Sequence, residues 1–179
     1  MKLIILDRDG VINQDRDDFV KSAEEWLPID GSLEAIARLN QAGFHVVVAS
    51  NQSGLARGHF DMAALNAMHS KMHKLCAEKG ARIDAVFFCP HLEEHGCDCR
   101  KPKAGLFSRI AKRYGLQSLA GVPTVGDSLR DLEAGAIMGC SLHAVRTGKG
   151  LLTHAAGGLP SGTLWHDDLC AAASYLLHI

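Results

Sequence analysis

The chain has 179 residues, with 19 Lys plus Arg against 20 Asp plus Glu and a formal charge of −1 at pH 7. That length suits one domain with a substantial core, and the even charge balance excludes a global field that would draw the chain to nucleic acid or an anionic membrane. In the opening "MKLIILDRDG" the apolar run is four residues long before Asp7, too short for a signal peptide or a membrane span.

Taken in order, "KLIIL" (2–6), "FHVVVAS" (44–50), "AVFFC" (85–89), "PTVG" (123–126) and "SLHAV" (141–145) read as short strands buried on both faces. Helices are predicted between them at 32–41, 61–79, 104–114 and 129–137; the second carries Leu65, Met68, Met72 and Leu75 at helical spacing. Strand alternating with helix implies a parallel sheet, and such sheets place their sites just beyond the carboxyl ends of the strands. The segments at those ends are "DRDG" (7–10), "SNQSG" (50–54), "CPHLEEHGCDCRKPKAG" (89–105) and "GDSLRD" (126–131), all polar. A loop at the opposite ends, "NQAG" (40–43), holds only ordinary turn residues.

Asp7 stands at the tip of the first strand, Asp9 follows two positions on, Gly10 frees the backbone to turn, and Asp127 supplies a third acid from another strand. Three carboxylates meeting in one crevice repel unless a cation joins them, and an all-oxygen site with open positions suits magnesium. Asp7 is then a competent nucleophile toward phosphorus, forming an aspartyl-phosphate that splits one hard displacement into two easier ones. Asp9 is placed to protonate the leaving oxygen and afterwards to deprotonate the hydrolytic water. Phosphoryl transfer also needs donors and positive charge on the equatorial oxygens. Ser50 offers a hydroxyl, Asn51, Gln52 and Ser53 offer side-chain and turn donors, and Lys101 offers charge.

Asp7-Arg8-Asp9-Gly10, Ser50 after a second strand, a basic residue ahead of a helix, and "GDSLRD" together resemble the ordered motifs of the haloacid dehalogenase superfamily of phosphohydrolases. The resemblance spans nearly the whole chain. It implies a Rossmann-like α/β three-layer sandwich with a mostly parallel sheet. It implies nucleophilic Asp7, acid/base Asp9, phosphate-binding Ser50 and Lys101, and magnesium held by Asp7, the Asp9 backbone carbonyl and Asp127. Asp131 would support that site without touching the ion. The short segments after Gly10 and Ser50 leave no room for a cap domain, so the cleft should be open.

Within the superfamily, "CPHLEEHGCDCRKP" with "DRDGVIN" and "SNQSGLARG" is similar to the D-glycero-D-manno-heptose 1,7-bisphosphate 7-phosphatases, and histidinol phosphatases share a related zinc loop. This resemblance implies zinc on Cys89, His91, Cys97 and Cys99, Arg100 and Lys101 in the active site, and Asp15, Arg16, Asp17 and Asp18 facing the sugar. Many relatives carry Thr at the place of Ser50, which keeps the hydroxyl, and some carry Lys where this chain has Ser128. The four proposed zinc ligands are of the kinds zinc takes tetrahedrally, and a closed set of four argues for a structural ion within a loop spanning 89–99. His95 is a rival ligand; His91 is preferred because it pairs with Cys89 in the spacing of Cys97 with Cys99. Cys76, Cys140 and Cys170 read as small core residues. Arg100 is expected to read a second phosphate or sugar hydroxyls.

The expected activity is removal of the 7-phosphate from heptose 1,7-bisphosphate, feeding nucleotide-activated heptose for bacterial surface polysaccharide. A histidinol-phosphate phosphatase and a catalytically silent zinc-stapled binding module are the competing readings. A monomeric, cytoplasmic, single-domain protein is expected, with Mg²⁺ and Zn²⁺ as cofactors, a sugar bisphosphate as partner, and neither nucleic acid nor membrane.

Overall fold

The computed structural model describes residues 1–178. One parallel sheet holds β1 (Lys2–Leu6), β2 (Phe44–Asn51), β3 (Ala85–Cys89), β4 (Pro123–Gly126), β5 (Ser141–Val145) and β6 (Leu164–His166). The helices are α1 (Ser32–Gln41), α2 (Met62–Glu78), α3 (Gly105–Arg113), α4 (Leu129–Ile137), α5 (Gly150–Ala156) and α6 (Leu169–Leu177). The strand order is β3-β2-β1-β4-β5-β6. The chain starts at the centre, runs outward through β2 and β3, then returns to lay β4 against the free side of β1. A crevice opens where the direction reverses, between the ends of β1 and β4.

The three layers follow from alternation along the central strands. Ile4 and Leu6 of β1, with Val46 and Val48 of β2, pack on one face against Leu33 and Ile36 of α1, Leu65, Met68 and Met72 of α2, and Leu169 of α6. Leu3, Ile5, Val47 and Ala49 face the other way, onto Leu106, Phe107 and Ile110 of α3 and Leu132 of α4. Each large apolar side chain buried in this way contributes about 1.5–3 kcal/mol. Asp61 accepts from the Ala64 N–H at 2.8 Å and starts α2 one residue after the expected boundary. Along α2 the buried stripe is Leu65, Met68, Met72 and Cys76, while Leu75 is only partly buried.

β6, α5 and α6 were not among the predicted elements. β6 is three residues long, α5 exposes Leu151 and Leu152, and α6 reads "LCAAASYLL", apolar with scarcely any polar face. None of them offers the periodicity on which sequence reading depends. Among the described residues, the connections after Gly10 and after Ser50 hold turns and isolated bridges (Asp9 with Asn13, Asn13 with Pro28) and no cap domain. No helix there is long and apolar enough to cross a membrane.

Candidate active site

Asp7 follows β1 directly, and its N–H donates to the Val125 carbonyl at 2.9 Å, tying the end of β1 to β4. Asp127 follows β4 in the same manner. One carboxylate oxygen each from Asp7, Asp127 and Asp131 lie within 4.8 Å of one another. The Asp127 Oδ2 accepts the Lys149 N–H at 2.8 Å and its carbonyl accepts the Thr153 hydroxyl at 2.8 Å. The Thr147 hydroxyl donates to the Gly10 carbonyl at 2.6 Å. The loop after β5 therefore grips both strand-end loops. Gly10, at φ +84°, packs so closely that a β-carbon there would collide with the Asp127 carboxylate, and the same holds for Gly148 at φ +58°.

Lys101 reaches this cluster from the loop after β3. Its side chain is 2% exposed, and its ammonium donates to Asp7 Oδ1 at 3.0 Å and to the Ala49 carbonyl at 2.6 Å; it also pairs with Asp131 Oδ1 at 2.7 Å. Burial alone would push the ammonium down, but the Asp131 and Asp7 charges outweigh it and hold Lys101 above its ordinary value. Burial likewise pushes Asp131 up, and the Lys101 charge holds it below the usual carboxylate range. Ser128 is committed to the same group, donating to Asp131 Oδ2 from its N–H at 3.0 Å and its hydroxyl at 2.7 Å.

Asp9 is held on the other side of the crevice. Its carboxylate accepts from the Arg8 guanidinium (2.8 Å), the Asn13 amide (2.8 Å) and the Gln52 amide (2.9 Å). Burial pushes the Asp9 carboxyl up, but Arg8 and these donors prevail and hold it below the usual range. Arg8 is fully buried and also meets His69 Nε2 at 3.2 Å. The Gln52 amide bonds Ser50 Oγ at 2.8 Å, so Ser50 and Gln52 form a buried shelf under Asp9.

A cleft of about 200 Å³ opens over these groups. Of the residues singled out in the sequence, Asp7, Asp9, Asp15, Arg16, Asp17, Asn51, Ser53, Arg100, Lys101 and Asp127 line it. Ser50, Gln52 and Asp18 do not. Asp18 is largely exposed and pairs with Arg16 at 2.9 Å and Lys21 at 2.9 Å. Asn51 faces the cleft but also clamps the Lys101 backbone, donating to its carbonyl and accepting its N–H, both at 3.0 Å. Phe19, Arg57, Arg130, Asp131 and Lys149 complete the wall. Lys149 was within reach of the strand-end rule, since it lies just past β5, and Arg130 sits inside the quoted "GDSLRD".

The acid cluster fits a hard divalent ion. Burial and the Asp131 charge push the Asp7 carboxyl up to about 7. Burial, Asp131 and Asp7 push Asp127 up to about 8. Oxygen-only donors that repel one another in this way match magnesium. Protons compete with the ion, so magnesium affinity should fall as pH drops from about 8 through about 7. Both carboxyls lie above their ordinary 3.8, so in metal-free protein the pair costs stability increasingly as pH rises. The expected result is a magnesium-induced rise in Tm that is larger at pH 8 than at pH 6, checked by thermal melts with and without the ion. Equal rises would rule out these two acids as the ion's ligands.

Cys89, His91, Cys97 and Cys99 form a second cluster at the end of β3. The Sγ of Cys89 lies 3.5 Å from His91 Nδ1 and 3.6 Å from the Cys97 Sγ; Cys99 Sγ lies 3.4 Å from His91 Nδ1. A zinc tetrahedron with sulfur at about 2.3 Å and nitrogen at about 2.0–2.1 Å has edges of roughly 3.5–3.8 Å, so these four residues fit that ion. Burial raises the Cys97 thiol, but the Arg100 N–H and neighbouring thiols draw it down to about 6, toward the thiolate a metal requires. His95 stands apart, accepting the Leu92 N–H at 3.1 Å. Cys76 and Cys140 are buried in the two cores, and half-buried Cys170 meets the Arg38 guanidinium at 3.5 Å.

A family model described as polynucleotide kinase 3 phosphatase matches residues 2–128, and a HAD-hydrolase-like model matches residues 98–172. The chain is 60% identical, over 99% of its length and 98% of the relative's, to the D-glycero-beta-D-manno-heptose-1,7-bisphosphate 7-phosphatase of Bordetella bronchiseptica. It is 53% identical, over 98% of its length and 97% of the relative's, to the protein of the same name from Pseudomonas aeruginosa. The crystal structure of the B. bronchiseptica D,D-heptose 1,7-bisphosphate phosphatase with magnesium and phosphate superposes with a TM-score of 0.98, at 60% identity over 99% of both chains. The corresponding structure from Burkholderia thailandensis gives 0.79 at 52% identity over 100% of both. A parallel sheet with paired acids after its first strand and a lysine delivered to them is thus, in this chain, a phosphoric monoester hydrolase. The chain belongs to the haloacid dehalogenase superfamily and, within it, to the family of the heptose 1,7-bisphosphate 7-phosphatases.

Proposed function

We propose that the chain removes the 7-phosphate from D-glycero-beta-D-manno-heptose 1,7-bisphosphate, giving heptose 1-phosphate for the nucleotide-activated heptose of lipopolysaccharide core. The observation that carries this reading is the cleft itself. Beside Asp7 and Lys101 it presents Arg57, Arg100 and Arg130, none of them ion-paired among the described residues, while Arg16 and Lys149 are held by Asp18 and Asp15; three uncommitted cations are more than a single phosphate needs. The beta anomer is the one named in the relatives. The enzyme works in this reading as a cytoplasmic monomer, with residues 1–179 as one domain.

Asp7 attacks phosphorus in line; the Asp7 O–P bond forms as the bond from phosphorus to the sugar O7 breaks. Lys101 holds the attacking carboxylate and offsets phosphoryl charge. Asp9 gives its proton to O7. Arg8 keeps this acid anionic in the free protein, and the arriving phosphate, a like charge, favours its loading with a proton. Asp9 then takes a proton from the water that attacks phospho-Asp7, releasing phosphate and restoring the carboxylate. Magnesium on Asp7, the Asp9 carbonyl and Asp127 would supply Lewis-acid neutralisation of the phosphoryl oxygens. Zinc on the four-residue cluster would be structural, since all four of its positions are taken by protein.

The test is phosphate release from a panel of both heptose 1,7-bisphosphate anomers, fructose 1,6-bisphosphate and histidinol phosphate. The beta heptose bisphosphate should show the highest kcat/KM, by about tenfold or more. A preference for histidinol phosphate would transfer the chain to amino-acid synthesis, and background release from every compound would make it a binding module.

A further inference from the structure

Asp9 is held by Arg8, and the fully buried Arg8 guanidinium is itself held at its other end. Its Nε donates to Asp9 Oδ1 at 3.1 Å, while Nη2 donates to the two Asp9 oxygens at 2.8 and 3.1 Å and to Gln52 Oε1 at 3.4 Å. Nη1 meets His69 Nε2 at 3.2 Å, its one hydrogen-bond partner among the described residues. His69 lies on α2, 61 residues further along the chain, one turn past Leu65 and one before Met72 of the buried stripe. An arginine only donates, so Nε2 must be the acceptor, and the ring is neutral with its proton on Nδ1. Burial, the Arg8 charge and His73 favour that state, pushing the imidazole down to about 4. The half-buried ring sits 6.5 Å from that of Phe88 on β3. It does not line the cleft, so it reaches the chemistry only through Arg8.

We propose that His69 is a positioning residue for phosphoryl transfer, fixing the Arg8 guanidinium so that its Nε and Nη2 hold Asp9 where it can protonate the leaving oxygen. The inference rests on the acid/base reading of Asp9 above and adds the residue that anchors its partner. A buried guanidinium nitrogen with no acceptor is costly, so loss of His69 would draw Arg8 toward another oxygen and away from Asp9. The acceptor has to be uncharged to serve in this way. A carboxylate at the same place would share the Arg8 charge and compete with Asp9 for the guanidinium. A neutral nitrogen satisfies the remaining donor and leaves the charge on the acid/base group. Asn13 and Gln52 also bond Asp9, so losing His69 misaligns the acid without setting it free. Proton transfer depends on that alignment before it depends on anything else.

The test sets wild type beside His69→Phe, His69→Leu, His69→Gln and Asp9→Asn on two substrates. One is the best alkyl phosphate of the panel above; the other is p-nitrophenyl phosphate, whose leaving oxygen needs no proton. Because kcat/KM covers only the steps up to phospho-Asp7, it isolates the first proton transfer. His69→Phe keeps a ring beside Phe88 and loses the acceptor. It should lower kcat/KM for the alkyl phosphate about 10- to 100-fold through kcat, with KM changed less than about threefold. On the aryl phosphate the loss should be several-fold smaller. His69→Gln, which offers an amide oxygen to Arg8, should recover most of the alkyl activity. A packing role predicts the reverse order, Phe near wild type and Gln worse, and that order would overturn the inference. Equal losses on the two substrates, or a loss carried by KM, would overturn it too. Should wild type leave the aryl phosphate untouched, the order of Phe and Gln on the alkyl phosphate decides. Thermal melts identify any variant that fails to fold, and His69→Leu then carries the comparison in place of His69→Phe. An Asp9→Asn as active as wild type would overturn the acid/base reading and the positioning role together. An inactive Asp9→Asn beside a fully active His69→Phe would overturn the positioning role alone.

Discussion

Asp7→Asn should abolish turnover, by at least about a thousandfold, while the folded state persists. The amide keeps the shape of the side chain, and its oxygen still accepts from Lys101. What the variant would lose is the charge that, in the proposed mechanism, attacks phosphorus. The substitution also relieves the crowding that lifts Asp7 to about 7 and Asp127 to about 8. The sign of its stability effect therefore depends on pH. Below the ordinary carboxylate value both forms are neutral and equal. As pH rises through about 7, the wild-type carboxyl must ionise against its surroundings, and metal-free Asp7→Asn should melt no lower than metal-free wild type at pH 8. Phosphate release and thermal melts check both halves of the result. Retained turnover would remove Asp7 as the nucleophile.

Loss of the Cys89, His91, Cys97 and Cys99 centre is the second large effect. An ion held at a thousandfold over its dissociation constant stabilises a fold by about 4 kcal/mol, and in a chain of this size each kcal/mol moves Tm by about 2–4 °C. Chelation, or Cys99→Ser, should accordingly lower Tm by about 8–16 °C. Recognition should suffer as well, because the Arg100 N–H leans on the Cys97 sulfur and the Lys103 ammonium on its carbonyl. KM for the substrate should rise several-fold, while magnesium at Asp7 and Asp127 still raises Tm. The check is metal content measured alongside Tm and KM. A zinc-free protein with both values unchanged would break the link between the cluster and the cleft.

Much of the fold was legible because its central strands are continuous apolar runs and its first four helices carry either clear stripes or caps. The strand-end rule then collected most of the cleft. What it could not supply was the fate of buried charge. Lys101 was expected at the phosphate and Arg8 was noted only as part of its motif, but neither was expected to be buried; their acid partners, the adjacent Asp9 for one and the distant Asp7 and Asp131 for the other, let them be so. Pairings of that kind leave no periodic trace. Nor could the sequence show that the Gln52 amide ties the Ser50 hydroxyl to the Asp9 carboxylate, since that contact joins the loop after β2 to the loop after β1. The loop after β5 was overlooked although its strand was recognised, because Thr147 and Lys149 act on Gly10 and Asp127 partly through the backbone, which composition does not reveal.

The register between β1 and β4 spans only two residue pairs, Ile5 with Thr124 and Leu6 with Val125, against five between β1 and β2. Asp7 and Asp127 thus stand on opposite sides of the sheet's shortest ladder. A sub-ångström slide at that joint would alter the spacing between the two groups proposed to share one ion. Strand pairing alone is a poor gauge block there. The joint is braced in addition by the loop after β5, 137 residues beyond Gly10 and 22 beyond Asp127, through Thr147 and Lys149. A nascent chain that has folded everything up to β4 owns both acids but lacks the part that fixes the distance between them.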